Sequence, residues 1–171
     1  RRARAVPDVH RHRASSGVTD LGLRPLRVDD AAEMAEVLAD PSLYEFTGGE
    51  PPSVADLERR YAVQTRSRSA DGSEQWVNEI VEVDGRAVGY VQATIPADGA
   101  PEIAWVIGAP FQDRGYARQA ARLLIEQLAD RGVTDVVAHI HPDHIASQRI
   151  AAALGMVATH VVVDGETRWT N

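Results

Sequence analysis

The sequence predicts a single α/β (α+β) domain built on a sheet of six to seven strands with about four helices, and three observations carry that reading. From Leu23 onward, apolar runs of period two alternate with runs of period 3.6, so strands and helices follow one another along the chain. Asp84-Gly85 stands between two β-branched runs, the strongest short signal for a hairpin. Gln112-Asp113-Arg114-Gly115-Tyr116-Ala117 joins the β-like run Ile103–Ile107 to a helical run from Arg118 to Arg131, a strand-to-helix turn that contains a glycine. With 171 residues, 44% of them hydrophobic and 25% charged, the chain is long enough to bury one sizeable core without staples.

The elements follow in order. Residues 1–22 are rich in arginine, hold His10 and His12 and lack apolar periodicity, which reads as a disordered basic N-terminal arm or an expression remnant preceding a domain over 23–171. Leu23–Val28 reads as the first strand. Asp29 and Asp30 are placed to cap a helix running through Ala39, with Ala32, Met34, Ala35 and Leu38 as its apolar stripe. Phe46–Pro52 is a Gly/Pro loop. Ser53 with Asp56 resembles a helix-start box, opening a helix to about Ser67. Trp76–Val83 and Ala87–Thr94 form the hairpin around Asp84-Gly85. Glu102–Ile107, Val133–His141 and Val157–Val163 supply further strands, and a short strand follows Asp164-Gly165. The helix after the glycine turn sets Ala117, Ala121, Leu124 and Leu128 on one face and Arg118, Arg122 and Glu126 on another.

Composition narrows the function classes. The chain has no cysteine, which removes disulfides, thiolate metal ligands and a cysteine nucleophile, and fits a reducing, cytoplasmic compartment. No apolar run approaches the ~20 residues of a membrane span. A net charge of −7 argues against nucleic acid as the main partner, although every basic residue is arginine and none is lysine.

The glycine turn carries the chemistry. A glycine between strand and helix lets backbone N–H groups approach an anion with no Cβ in the way, and the first helical turn adds N–H groups that have no partner of their own. Arg118 in that first turn opposes the helix dipole, and an anion nearby would account for it.

Gln112-x-x-Gly115-x-Ala117 resembles the Gln/Arg-x-x-Gly-x-Gly/Ala signature of the GCN5-related N-acetyltransferase (GNAT) superfamily. About thirty residues later, His141 to Arg149 followed by Ala153-Leu154-Gly155-Met156 resembles the second acyl-CoA signature of the ribosomal-protein-alanine N-acetyltransferase branch, an Asn-x-x-Ser, a short helix and Leu-Gly-Phe. The resemblance implies a mixed central sheet that splays at the acyl-CoA site. Acetyl-CoA is the implied co-substrate, held by Gln112, Asp113, Arg114, Gly115, Tyr116, Ala117 and Arg118 at the pyrophosphate, with main-chain groups of Trp105, Val106 and Ile107 along the pantetheine arm. His144 stands where the branch has its cofactor-contacting asparagine, and Ser147 matches the branch's serine.

The implied reaction is acetyl transfer to a primary amine, of a protein N-terminus or a small molecule. Without cysteine a cysteinyl acyl-enzyme is impossible, so direct attack in a ternary complex is expected. Glu102, at the head of the central strand, is the candidate base acting through water, ahead of Glu79 and Glu82, of which only one can line the cleft. Many relatives carry a proton-donating tyrosine four residues before the Leu-Gly-Phe glycine; here that residue is Ala151, which leaves Ser147 to contact the CoA sulfur or relay a proton, unless it only caps its helix.

Two other readings stand beside this one. A non-catalytic acyl-CoA-binding sensor fits the missing tyrosine and the His144 replacement. A metal hydrolase would use His139, His141 and His144 with Asp143, but these lack any thiolate or visible supporting shell, and no metal is expected. Trp76, Trp105 and Tyr90 read as sheet-core aromatics. Expected partners are acetyl-CoA and an amine acceptor, with neither nucleic acid nor membrane, and a homodimer is left open.

Overall fold

The computed structural model describes residues 19–171. The expected N-terminal arm therefore lies outside the described residues except at its end, where β1 (Leu21–Pro25) begins two residues before the expected boundary. This strand also stops early. Leu26 still donates its N–H to the Asn78 carbonyl at 3.0 Å, but Val28–Asp30 turns as a 3-10 helix, with Val28 in it instead of ending the strand.

The 3-10 turn runs into α1 (Ala31–Val37). Asp30 does not cap that helix: its carboxylate takes the Arg27 N–H at 2.7 Å and the Arg24 guanidinium at 2.7 and 2.9 Å. The buried stripe consists of Ala31, Met34, Val37 and Leu38, three and four residues apart on one face, and Ala32 is exposed on another. α2 (Val54–Gln64) opens as the Ser53/Asp56 box requires, with the Asp56 N–H donating to Ser53 Oγ and the Ser53 N–H donating to Asp56 Oδ2, both at 3.1 Å.

β2 (Glu74–Val83) and β3 (Arg86–Pro96) form the hairpin, each longer than expected. Asp84 and Gly85 both sit at positive φ (51° and 80°), the geometry a two-residue turn of this hand demands. β4 (Glu102–Ile107) leads through a 3-10 turn to α3 (Tyr116–Asp130); β5 (Val137–Ile140), α4 (Ile145–Ala153), β6 (Val157–Val163) and β7 (Glu166–Thr170) complete the described chain. β5 is shorter than the nine residues from Val133 to His141 that sequence suggested.

The seven strands make one mixed sheet in the order β1-β2-β3-β4-β5-β7-β6, with four α-helices on its faces. Only β4 and β5 run parallel, and they share a single register pair, Glu102↔Val137. Beyond that pair the strands part. Gly89 on β3 contributes: a Cβ there would stand 2.1 Å from the Val106 carbonyl oxygen and 2.9 Å from Ile107 Cα, so only glycine allows β4 to lie this close to β3. Side-chain alternation divides the core between the two faces. Val81, Val91 and Ile103 pack with Ala120, Leu124 and Leu128 of α3, whereas Ile80 packs with Met34 of α1 and with Leu57 and Tyr61 of α2. No helix among the described residues is long and apolar enough to cross a membrane.

Candidate active site

The turn into α3 has the shape its sequence suggested. Gly115 is the N-cap residue at φ +78°, and Asp113 sits in the same left-handed region at φ 62°. A Cβ on Gly115 would meet nothing nearer than Gln119 Nε2 at 3.7 Å, so the backbone angle, and not crowding within the protein, is what requires glycine. The first intrahelical bond runs from the Gln119 N–H to the Gly115 carbonyl, which leaves the N–H groups of Tyr116, Ala117 and Arg118 without a helical acceptor. Arg114 and Arg118 are exposed beside them.

Two residues of this segment have other work. The Gln112 side-chain amide donates to the Ile107 carbonyl at 3.0 Å and ties the end of β4 to the turn. The Tyr116 ring is buried in the α3-side core, so it offers the loop only its N–H. Both act by holding the cradle in shape.

The gap between β4 and β5 opens directly behind the cradle. The Val137 N–H donates to the Pro101 carbonyl at 2.8 Å, closing the narrow end. Past Glu102, β5 pairs only with β7 and β4 only with β3, so the β5-facing main-chain edge of Trp105, Val106 and Ile107 has no partner strand. An unpaired strand edge inside a sheet is a place for an extended ligand to bind as a strand would.

On the α1/α2 side of the sheet, Glu102 lies at the closed end of this gap. Its Oε1 meets His139 Nδ1 at 2.9 Å, and Arg168 Nε donates to His139 Nε2 at 3.3 Å, so β4, β5 and β7 contribute one residue each to a continuous row. Since Nε2 accepts from a guanidinium, the ring proton sits on Nδ1 and points at the Glu102 carboxylate. The side chain of Glu102 is 51% exposed. The other candidate carboxylates are not comparable. Glu82 is held by Arg24 Nε at 2.5 Å. Glu79 points to the α3 side, as its place between Val77 and Val81 requires, and is buried with Oε2 unpartnered; burial pushes its carboxyl above the usual value.

Two adjoining cavities lie on the α1/α2 face. The larger, about 170 Å³, is lined by Arg60, Tyr61 and Gln64 of α2 and by Asn78, Tyr90 and Gln92 of the hairpin; the smaller, about 110 Å³, reaches Trp76 and Thr94. Thr94 pairs with Glu102 across the β3–β4 ladder, so the cavities lead toward the row of Glu102, His139 and Arg168. Trp76 and Tyr90 thus border open space instead of being wholly enclosed in the core.

α4 brings up the remaining candidates. His144 is its N-cap residue but makes no capping bond; its ring stacks on Phe46, with centroids 4.6 Å apart at 15°, and His141 flanks the same phenyl ring at 5.2 Å. Burial and the neighbouring His141 hold the His144 imidazole below its ordinary range, against the pull of Glu45. Ser147 is half-buried in the first turn and is not the capping residue, so the capping role open to it from sequence falls to His144's position. Ala151 is fully buried in the α3-side core. The three histidines do not converge: His139 belongs to the Glu102 row and the other two to Phe46. Among the described residues no group of three or more His, Cys, Asp or Glu side chains is arranged to hold a metal ion.

Sequence reasoning missed Arg168, Phe46 and the pairing of His139 with Glu102. The period-two position of His139 gave its face, but only the strand order, with β7 inserted between β5 and β6, reveals what lies beside it.

The family model described as Acetyltransferase (GNAT) domain matches residues 20–157. No curated protein matches the chain. Several solved structures share its fold. A domain from Methanocaldococcus jannaschii DSM 2661 superposes with a TM-score of 0.73 at 19% identity, covering 90% of this chain and 99% of that one. The aminoglycoside acetyltransferase AAC(6')-Ib, solved with coenzyme A, gives 0.72 at 20%, covering 89% and 94%. An acetyltransferase from Thermus thermophilus gives 0.69 at 20%, covering 88% and 96%. The matched span runs from the head of β1 to the start of β6 and includes the cradle, the splayed strands and Glu102 with His139, and the chain belongs to the GNAT acetyltransferase family.

Proposed function

We propose that the protein moves an acetyl group from acetyl-CoA to a primary amine, of a protein N-terminus or a small molecule, by direct attack in a ternary complex. The observation that carries this reading is the unpaired β4 edge at Trp105–Ile107 ending at a turn whose N–H groups have no helical acceptor. Those are the two things the long acyl-CoA molecule needs, a strand to lie against and a cradle for its phosphates. Arg114, Gly115, Ala117 and Arg118 hold the pyrophosphate, with Asp113 and Gln112 fixing the turn and Tyr116 adding its N–H. His144 and Ser147 border the cofactor at the α4 end. When bound, the thioester supplies an activated acetyl group that an amine attacks without any enzyme-bound acyl intermediate, in keeping with the absence of cysteine.

Glu102 is the base. Its exposed carboxylate, aligned by His139, receives the amine's proton through a water molecule. That strength of base suffices for an α-amino group of pKa about 8, while a lysine amine at ~10.4 would cost about 3 kcal/mol more at neutral pH. The aminoglycoside and spermidine acetyltransferases of similar fold show that this fold accepts amines of unlike structure, and the resemblance to the ribosomal-protein-alanine branch favours an α-amino acceptor. A sensor that binds acyl-CoA without turnover is the alternative, favoured by Ala151 in place of the tyrosine. Initial rates of thiol release with acetyl-CoA and a panel of amines decide between them. Intersecting double-reciprocal lines are expected; parallel lines would reveal a covalent intermediate, and no release with any amine would leave the sensor.

A further inference from the structure

The larger cavity on the α1/α2 face is walled by polar side chains that the fold does not use. Asn78 and Gln92 stand directly opposite one another across the hairpin, and Tyr90 and Ile80 form the next pair on that face. From α2 come Arg60, Tyr61 and Gln64. Among the described residues, the hydroxyls of Tyr61 and Tyr90 and the side-chain amides of Gln64 and Gln92 make no hydrogen bond within the protein, and the Asn78 amide makes one long contact, 3.5 Å to the Gln64 carbonyl. These uncommitted donors and acceptors line one cavity, so a polar ligand entering it finds partners that the fold does not use.

The charges there are one-sided. Arg60 forms no ion pair among the described residues, and its positive charge acts on the hydroxyls of Tyr44, Tyr61 and Tyr90. Of the carboxylates on this face, Asp30 and Glu82 pair with Arg24 and Glu74 accepts from the Trp76 indole N–H, while Glu102, beside His139, lies at the far end of the cavities as the exposed base. Glu79 borders the cavity only from the far side of its strand, and Glu45 and Glu50 lie in the loop outside its lining. A polycation entering here would meet the unpaired Arg60 guanidinium before it reached Glu102, which costs affinity by like-charge repulsion.

We propose that the acceptor is an amine that also carries an anionic group, a carboxylate or a phosphate, held by Arg60 with the Tyr61 and Tyr90 hydroxyls, while Gln64, Asn78 and Gln92 bind its polar body and the amine points toward Glu102. This selects against polyamines and aminoglycoside-like polycations, and it rests on the assignment of this face as the acceptor side under the proposed function. Guanidinium and phenol donors suit carboxylate and phosphate alike.

The test pairs calorimetric binding with thiol release on the coenzyme A-loaded and acetyl-CoA-loaded protein respectively. The probes are leucine, leucinamide, O-phosphoethanolamine and spermidine; leucine and leucinamide differ only in the anionic group. At least one of leucine and O-phosphoethanolamine should bind about tenfold or more tightly than spermidine, and which of the two binds better separates a carboxylate ligand from a phosphate one. Arg60→Gln, at an exposed position, should weaken that anionic probe about tenfold and leave leucinamide within about twofold. Stronger binding of spermidine, no binding by either anionic amine, or an Arg60→Gln protein with unchanged affinities would each overturn the proposal. Binding of an anionic amine without thiol release would keep the anion site at Arg60 but overturn its reading as the acceptor site, whereas release with spermidine alone would keep the acetyl-transfer reading and overturn the anionic acceptor.

Discussion

At the scale of single residues, Ser147 and Glu79 show how burial and bonding separate function from structure. Ser147 lies in the first turn of α4 but outside the capping position, and among the described residues its hydroxyl makes no hydrogen bond. Its loss therefore removes little from the fold, less than the ~1 kcal/mol a true cap contributes. If it contacts the leaving sulfur, Ser147→Ala lowers kcat about ten- to a hundredfold with the melting temperature within about 2 °C of wild type, measured on one preparation. A lowered melting temperature with unaltered kcat would make it structural. Glu79 is the reverse case. Burial raises its carboxyl above the ordinary 4.5, so the folded protein binds a proton that the unfolded chain releases; the stability this group allows is full below pH 4.5 and is lost as pH rises through the raised value. Glu79→Gln should raise the melting temperature at pH 7, and the gain should vanish toward pH 4.5. Equal melting temperatures at pH 7 would show that the carboxylate finds a partner.

At the scale of elements, the parts of the chain that local chemistry dictates were legible. Asp84-Gly85 announced its hairpin because two consecutive positive φ angles suit few other pairs, and Ser53 with Asp56 announced α2 because each side chain satisfies the other's backbone N–H. The turn into α3 was legible for the same reason, through Gly115. What depends on neighbours distant in sequence was not. The row of Glu102, His139 and Arg168 draws on three separate strands and exists only because β7 lies beside β5, and the Phe46 stack on His144 needs the loop before α2 to reach the start of α4. The first strand was misplaced because the apolar pattern runs on to Val28, while the chain turns at Arg27–Asp30, where the Asp30 carboxylate takes the Arg27 N–H. Gly89 acts at this scale too, since it lets β4 lie close against β3 next to the gap. Gly89→Ala forces a Cβ into the Val106 carbonyl and should cost about 3 kcal/mol or more, a fall in melting temperature on the order of 6–12 °C, together with weaker acetyl-CoA binding. A melting temperature within about 2 °C of wild type would mean the splay has another origin.

For the whole molecule, the sheet divides two tasks between its faces and its gap. α3 and its core fix the cradle, the parted strands β4 and β5 offer a slot through the sheet, and the α1/α2 face presents polar cavities leading to Glu102. The central claim is that acetyl-CoA occupies that slot, with its phosphates on the turn at Gly115 and its arm along β4. Titrating coenzyme A into uniformly 15N-labelled protein and following the amide resonances tests this most directly. The largest shifts should fall on the N–H groups of Arg114–Arg118 and of Trp105–Ile107, with smaller changes at His144 and Ser147, and Gly115→Val should abolish them at the same coenzyme A concentration in a protein that still folds. Resonances of those two segments standing still while others move would place the cofactor elsewhere and contradict the account.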